Sequence, residues 1–378
     1  MKISCLQENL YKGLQVVSHI CGRERGLPIL STLLMKTENG LIHVSATNLE
    51  IGIHCTLRGR VEEEGAIAID AKVFTDYVGF LPKEKIEITV SPEQQISLEC
   101  GGYKTKMRGM NPDDFPLLPV FEKKTLLTCR VEDIKKALQS TSIAVTINES
   151  RPEISGLLLQ YNKEKQTLSF VGTDAYRLAE KQIAVRVEEH SDIQDFSCII
   201  PLRTVQELLR IFTGDNQDED VVICINDNQI LFLYENIELI SKIIQGQYPD
   251  YKQIIPTQFQ TKVFLDVAEC EKAVKASSLF SRSELQDIHI HIKLKEDGKG
   301  EIKISAKNTT VGEHEVKIEG EVKGNENTVA LNYKYLLDGL RQSGEDKVSL
   351  EIIDSNNPCI IRPNGKEDYM YLIMPIRE

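Results

Sequence analysis

Apolar and polar residues along this chain switch between two periods, and the switches fall at matched distances. Strict alternation, the mark of half-buried antiparallel strands, runs through LIHVSATNLEIGIHC, EGAIAIDAKVF, LLLQYN, TLSFVGT, DIHIHIKL and EIKISAK. Three times a strand end passes into a helical pattern, a polar turn and another strand. These copies start at Ile69 (IDAKVFTDYVGFLPKEKIEITV), Ile200 (IPLRTVQELLRIFTGDNQDEDVVICI) and Leu331 (LNYKYLLDGLRQSGEDKVSLEI), two steps of 131 residues. A second helical pattern recurs at LQENLYKGLQVVS, VEDIKKALQSTS and VAECEKAVKASS, with Leu14, Leu138 and Val274 in register. A strand-to-turn passage recurs at VSATNLEI, FVGTDAYRL and ISAKNTTVG, with Thr47, Thr173 and Lys307 in register.

All three landmarks keep one order, so the chain reads as a single structural unit written three times. The middle copy drifts by small insertions, as happens where loops lengthen between fixed elements. Each module is expected to be α+β, with two helices of roughly ten to fourteen residues on one side of about eight strands. The Pro-rich stretches NPDDFPLLPVFEKK and GQYPDYKQIIPTQ read as connectors, because proline ends strands and supplies no ladder donor. Modules at 1–122, 123–256 and 257–378 follow.

The 378 residues exceed the roughly 250 to 300 at which one core stops growing. No apolar run of about 18 residues exists to span a membrane, and MKISCLQENLYK lacks the apolar core of a signal peptide, so a cytoplasmic protein without membrane contact is expected. Nine scattered cysteines without a C-x-x-C pair read as reduced, mostly buried thiols. The net charge of −12 argues against nucleic acid only if it is evenly spread. It is not. Carboxylates crowd presumed turns and edges at Glu62, Glu63, Glu64, Asp215, Asp218, Glu219, Asp220, Glu313 and Glu315. In VEDIKKALQSTS the stripe Ile134, Ala137, Leu138, Thr141 leaves Lys135, Lys136 and Gln139 off the core face. Lys12, Lys272, Lys275, Arg203, Arg210, Lys334 and Arg341 occupy the other helical patterns, so one basic face on an acidic body is possible, beside the plainer reading of solvated helix faces.

Nucleotide-binding, hydrolase and zinc-protease motifs are absent from the sequence. His289 and His291 share one strand face, but Ile288, Ile290 and Ile292 fill the other and no third ligand is evident, so a solvent-facing strand is the simpler account. The run Asp218 to Asp220 reads as an acidic loop tip. No catalytic residue, metal or cofactor is therefore expected. An enzyme with an unrecognised site and a three-module protein scaffold without a DNA role remain the alternatives.

At GTDAYRLA (Gly172 to Ala179), GQYPDYKQIIP (Gly246 to Pro256) and YLIMPIRE (Tyr371 to Glu378) the chain resembles the bacterial sliding-clamp family, the beta subunits of DNA polymerase III. GRERGLPIL, NPDDFPLLP, IIPLRTVQELLR and LNYKYLLDGL extend the resemblance over the whole chain. It implies three tandem clamp domains with antiparallel sheets outside and two helices per domain inside. Two chains would close head to tail as a homodimeric six-domain ring. The implied function is a non-catalytic processivity factor that encircles double-stranded DNA without reading its sequence. Implied partners are the replicative polymerase alpha subunit, the clamp-loader ATPase and other proteins carrying a clamp-binding motif.

Three groups of residues follow from the resemblance. Candidate DNA-facing residues are Arg23, Arg25, Lys72, Lys135, Lys136, Arg151, Arg203 and Lys275. The implied partner-peptide cleft has one wall at Ile154, Thr173, Ala175, Tyr176, Arg177, Leu178, Pro249 and Ile254. Its other wall is Leu285, Asn332, Tyr335, Leu372, Ile373, Met374, Pro375, Ile376 and Arg377, although alternation alone makes Met374 and Ile376 part of a terminal core strand. The implied dimer seam brings Lys104, Thr105, Lys106 and Met107 against Leu279, Phe280, Glu313 and Glu315. Thr105 stands where the family often has an aromatic residue, Gln253 replaces a frequent basic residue of the cleft, and Glu378 adds a carboxylate at the end.

Overall fold

The computed structural model of the protein describes every residue except 23–26, 117–120, 122–126, 149, 188–192, 214–218, 295–298 and 378. Among the described residues, six α-helices alternate between 12 and 10 residues: α1 (Gln7–Ser18), α2 (Ala71–Phe80), α3 (Val131–Ser142), α4 (Leu202–Ile211), α5 (Val267–Ser278) and α6 (Tyr333–Gln342). The even-numbered helices begin one residue after Asp70, Pro201 and Asn332, so they keep the constant step of the sequence pattern. Leu14, Leu138 and Val274 are all 0% exposed, as their shared register requires. Asp70, Asp266 and Asn332 cap α2, α5 and α6 by accepting from backbone N–H groups of the first turn.

The first third of the chain supplies β1 (Lys2–Leu6), β2 (Thr32–Glu38), β3 (Leu41–Thr47), β4 (Ile51–Leu57), β5 (Gly59–Glu63), β6 (Gly65–Asp70), β7 (Lys85–Val90), β8 (Gln95–Cys100) and β9 (Tyr103–Arg108). The middle third supplies β10 (Leu127–Arg130), β11 (Gly156–Asn162), β12 (Thr167–Thr173), β13 (Arg177–Ala184), β14 (Arg186–Val187), β15 (Phe196–Pro201), β16 (Asp220–Ile225), β17 (Gln229–Tyr234) and β18 (Ile237–Lys242). The last third supplies β19 (Thr261–Asp266), β20 (Asp287–Leu294), β21 (Lys299–Asn308), β22 (Gly312–Gly324), β23 (Asn327–Asn332), β24 (Lys347–Ile352), β25 (Cys359–Pro363) and β26 (Tyr369–Ile373).

By packing, these elements group into two compact units, each drawing on more than one copy of the repeat. One comprises Met1–Lys135, Val185–Ile193 and Arg203–Ile243; the other comprises Lys136–Ala184, Gln194–Leu202 and Ile244–Glu378. The first unit holds a sheet in the order β5-β1-β7-β8-β9 and one in the order β14-β10-β16-β17-β18-β4-β3-β2-β6. The second holds one sheet, β15-β11-β12-β13-β26-β25-β24-β19-β22-β21-β20-β23. The middle third therefore has no sheet of its own: β18 pairs with β4, and β13 pairs with β26. The three copies of the repeat are thus joined by continuous backbone ladders. The repeat itself survives in the strands, since β1, β10 and β19 pair in turn with β5, β14 and the end of β22.

Eight of the nine cysteines are buried and Cys21 is half-buried, all as free thiols. Burial pushes the Cys5, Cys55, Cys198 and Cys359 thiols up to about 12, which keeps them protonated and inert. Among the described residues no helix is long and apolar enough to cross a membrane.

Candidate functional site

The second unit carries the best-developed candidate site, and it starts from one turn. Between β12 and β13, Thr173 Oγ1 accepts from Ala175 N at 3.1 Å and donates to Arg177 O at 2.7 Å. Asp174 Oδ1 accepts from the N–H groups of Tyr176 and Arg177. Ala175 sits at φ +75°, a conformation that the surrounding bonds impose on a residue with a Cβ. The turn lifts Tyr176 into solvent at 65% exposure and turns Arg177 inward.

Arg177 then ties four segments together. Its Nε donates to Asp174 Oδ2 at 3.0 Å, and its Nη1 donates to Asp338 Oδ2 of α6 at 2.6 Å and to the Tyr371 hydroxyl of β26 at 3.4 Å. The guanidinium lies 4.4 Å from the Tyr335 ring centroid, a cation–π contact. Burial opposes its charge, but Tyr371, Asp338 and Asp174 together hold it firmly protonated. Burial raises the Tyr371 phenol above its ordinary range while Arg177 opposes that shift, so a neutral hydroxyl is what the guanidinium meets. Gly339 allows this approach, because a Cβ there would lie 2.4 Å from the Tyr371 ring.

Beside this network an apolar shelf forms around Leu158, Val171, Leu178, Ile360, Met370 and Leu372, with Tyr248, Ile255 and Met374 packed at its margin. Tyr248 donates to Val171 O at 3.3 Å and Tyr251 donates to Glu180 at 3.0 Å, which fixes the Pro-rich segment to the sheet. The chain end is pinned over the shelf: Met374 N donates to Tyr176 O at 2.8 Å and Ile376 N donates to Ala330 O at 2.9 Å.

Several wall residues read from the sequence take other places. Leu178, Leu372 and Ile373 are 0% exposed and Ile154 is 3% exposed; Leu178 and Leu372 belong to the apolar shelf, whereas Ile373 packs in a separate core cluster. The Thr173 hydroxyl is occupied by the turn and Asn332 Oδ1 by the α6 cap. Met374 and Ile376 are not core-strand residues, because β26 ends at Ile373 and both are half-buried in the pinned tail. Ala175, Tyr176, Pro249, Ile254 and Leu285 are exposed, Tyr335 and Pro375 half-buried, and Arg377 exposed. Asp338 and Tyr371 were missed as site residues; Asp338 lies inside the recurring LNYKYLLDGL pattern, but nothing local marks its partner 161 residues away.

Among the candidate DNA-facing residues, Lys72, Lys136, Arg151, Arg203 and Lys275 are exposed and Lys135 is half-buried; Arg23 and Arg25 lie outside the described residues. Arg151 pairs with Glu153 at 3.2 Å, and Lys275 pairs with Glu271 at 2.5 Å. The six helices together carry ten Lys or Arg and eight Asp or Glu, a small positive surplus in a chain of net charge −12. The excess negative charge therefore sits on strands and loops.

The candidate seam residues occupy strand edges. Lys104, Thr105, Lys106 and Met107 lie on β9, the outer strand of its sheet, paired only with β8. Glu313 and Glu315 lie on the part of β22 that pairs with β21 alone, since β19 meets only Glu321 to Gly324. Leu279 is 73% exposed, and Phe280 stacks on His314 with centroids 5.4 Å apart. His289 and His291 share a face opposite buried Ile288, Ile290 and Ile292, and among the described residues no group of three or more His, Cys, Asp or Glu could hold a metal. Asp218 and Glu378 lie outside the described residues, and Asp220 pairs with Arg186 at 2.6 Å.

Three protein-family models match in order: the N-terminal, central and C-terminal domains of the DNA polymerase III beta subunit, at residues 1–119, 128–250 and 252–377. A beta sliding clamp of Synechocystis is 27% identical over 395 residues, covering 100% of this chain and 99% of that protein. Among solved structures, a putative DNA polymerase III beta subunit of Eubacterium rectale superposes with a TM-score of 0.91 at 27% identity, each chain covered in full at 100%. The Pseudomonas aeruginosa sliding clamp, solved bound to griselimycin, superposes with a TM-score of 0.92 at 26% identity, again with 100% of both chains covered.

Proposed function

We propose, because the chain belongs to the DNA polymerase III beta subunit family, that two copies of it close head to tail around duplex DNA and slide along it as a clamp. Clamps of this family are not enzymes. Their work is to tether a polymerase to DNA, and a closed ring does so by topology: enclosed duplex leaves only when the ring opens or an end passes through.

One observation carries the head-to-tail closure. Within the chain, the strand after each copy's polar turn pairs with the last strand of the following copy, as β4 with β18 and β13 with β26. The third such strand is β22, and the last strand of the first copy is β9; among the described residues, β9 beyond β8 and the Gly312–Gly320 stretch of β22 opposite β21 each present an edge with no strand beside it. The repeat therefore supplies both halves of a third junction that only another copy can complete, and joining them covers the two exposed edges. Joined this way, Lys104, Lys106 and Arg108 on β9 would meet Glu313 and Glu315, which within the chain pair with Lys307 and Lys303. Modest helix basicity suits a sliding surface, since strong phosphate contacts act as a brake. On this reading Lys72, Lys136, Arg203 and Lys275 face DNA in the cytoplasm.

The turn at Thr173, the Arg177 network and the pinned tail support a docking cleft for short, partly apolar peptide motifs. Tyr176, Ile254, Leu285, Met374 and Ile376 supply contact surface, and flexible Met suits several ligands. The test compares retention on circular DNA with retention on the same DNA linearised after loading. A clamp stays on the circle and runs off the ends; equal retention on both would replace enclosure with contact binding.

A further inference from the structure

Asparagine followed by glycine is the pair most prone to spontaneous deamidation, because no side chain on the next residue shields its backbone nitrogen. The chain has two such pairs, Asn39–Gly40 and Asn364–Gly365. All four residues are exposed, and a Cβ on either glycine would meet nothing within 4 Å. Neither asparagine side chain makes a hydrogen bond among the described residues. The turns that hold the two pairs are different. Asn39 and Gly40 both have positive φ, 53° and 75°, which marks a two-residue type I′ hairpin loop. That loop joins β2 directly to β3, since Glu38 pairs with Leu41, and β2 is held on its other side by β6. In the second pair only Gly365 has positive φ, at 77°, as at the third position of a type II turn. Here the β25–β26 ladder stops at Ile361 and Tyr371, and the turn is closed by one long bond, Lys366 N to Pro363 O at 3.4 Å. Asn364 N also donates to Lys347 O at 3.0 Å, but on the far side of the bond that must rotate.

We propose that Asn364 is a modification site, converted without an enzyme into aspartate and isoaspartate, and that Asn39 is spared by its hairpin. The Gly365 nitrogen attacks Asn364 Cγ and gives up its proton; the bond from Cγ to the side-chain nitrogen breaks, and ammonia leaves with that proton. Water then opens the cyclic imide. Attack at Cγ leaves aspartate, and attack at the backbone carbonyl leaves isoaspartate, whose extra methylene lengthens the main chain. Ring closure needs Cγ swung onto the glycine nitrogen, a ψ that neither turn type holds, so each turn must open before it reacts. Opening costs the hairpin loop its flanking strand pair and costs the looser loop one weak bond. The loop that isoaspartate lengthens also ties β26 to β13, through Gln182 N to Asp368 O at 2.8 Å and Lys181 to Asp368 at 2.5 Å. The modification therefore acts on the junction between the second and third copies.

The test incubates the full chain at mildly alkaline pH, native and in concentrated urea. Both Asn-Gly peptides are followed by mass spectrometry, and isoaspartate is read by labelling with its repair methyltransferase. In the native chain the Asn364 peptide is expected to convert at least about tenfold faster than the Asn39 peptide, whereas in urea the two should convert at similar rates. Equal native rates, or a faster Asn39, overturn the inference. A native Asn364 that stays intact while its unfolded counterpart converts overturns it too. A rate gap that persists in urea would assign the difference to neighbouring sequence instead of to the turns, and the inference would fall with it.

Discussion

The turns at Thr47 to Ile51 and at Thr173 to Arg177 are the same object built twice, and only one of them makes a site. In each, the threonine hydroxyl accepts from the N–H two residues on and donates to the carbonyl four residues on. In each, the next side chain accepts two backbone N–H groups, and the third residue has positive φ, 71° at Leu49 and 75° at Ala175. Even the neighbouring strand is held alike, by Lys242 N to Glu50 O and by Met374 N to Tyr176 O. The difference lies in two side chains. Asn48 and Ile51 in the first unit correspond to Asp174 and Arg177 in the second. Ile51 is 1% exposed and faces Ser241 across the ladder, and Ser241 bonds Thr204 at 2.6 Å. Small, mutually satisfied groups close that junction. A guanidinium with two carboxylates and an aromatic ring keeps the other one polar and bounded by an exposed tyrosine. Backbone geometry is thus the shared scaffold, and one Asn/Ile to Asp/Arg exchange is what separates packing from recognition.

Transplanting the charge should produce the largest effect. Ile51→Arg buries a guanidinium where Asn48 offers an amide and no carboxylate, and a loss of about 3–5 kcal/mol is expected in urea unfolding. Adding Asn48→Asp should restore part of it, because Asn48 Nδ2 is buried without a partner among the described residues and a carboxylate there meets the new cation. If the double variant is no more stable than the single one, the two turns are not interchangeable scaffolds.

The reverse exchange comes next. Arg177→Ala strands Asp174, whose side chain is 8% exposed, and removes the tether to Asp338. A loss of about 2–4 kcal/mol is expected, less than for Ile51→Arg because Asp174 keeps its backbone donors. Titration of a partner-motif peptide should show affinity weakened at least about tenfold, since Tyr335 loses the guanidinium against its ring and the Thr173 turn loses its tie to α6. Unchanged peptide affinity would place recognition on the apolar shelf alone.

What the sequence made legible follows from the range of each interaction. Helix starts, the buried register of Leu14, Leu138 and Val274, and the alternation around His289 are local patterns, and the structure reproduces them. The assignment of β10 and β16–β18 to one sheet and of β11–β13 to another depends on pairing across module boundaries, which no local period encodes. The site divides in the same way. Tyr176 and Arg177 could be read from GTDAYRLA through a family resemblance, but the Arg177–Tyr371 contact joins residues 194 apart. Alternation carried the terminal strand past Ile373 to Met374 and Ile376, because it cannot register that backbone N–H groups there turn to Tyr176 and Ala330.

The smallest effect makes the finest distinction. Thr47→Val and Thr173→Val keep the branched shape and remove a hydroxyl that makes two bonds, at 2.9 and 3.0 Å in the first turn and 2.7 and 3.1 Å in the second. Both hydroxyls are buried, at 5% and 7% residue exposure, so each loss should cost about 1–2 kcal/mol in urea unfolding. If the turns are one scaffold, the two costs should agree within about 0.5 kcal/mol, the spread expected for independent sites. Peptide titration should then part them. Thr173→Val loosens Ala175 and with it the placement of Tyr176, so affinity should fall by a few-fold, whereas Thr47→Val should leave it unchanged, because Leu49 and Ile51 belong to the unit that does not hold the cleft. Equal stability loss with unequal binding loss would show that a structural turn was put to use once, by the residues it carries. Equal losses in both measurements would mean that the first turn also takes part in recognition, and the contrast between Ile51 and Arg177 would no longer explain where partners bind.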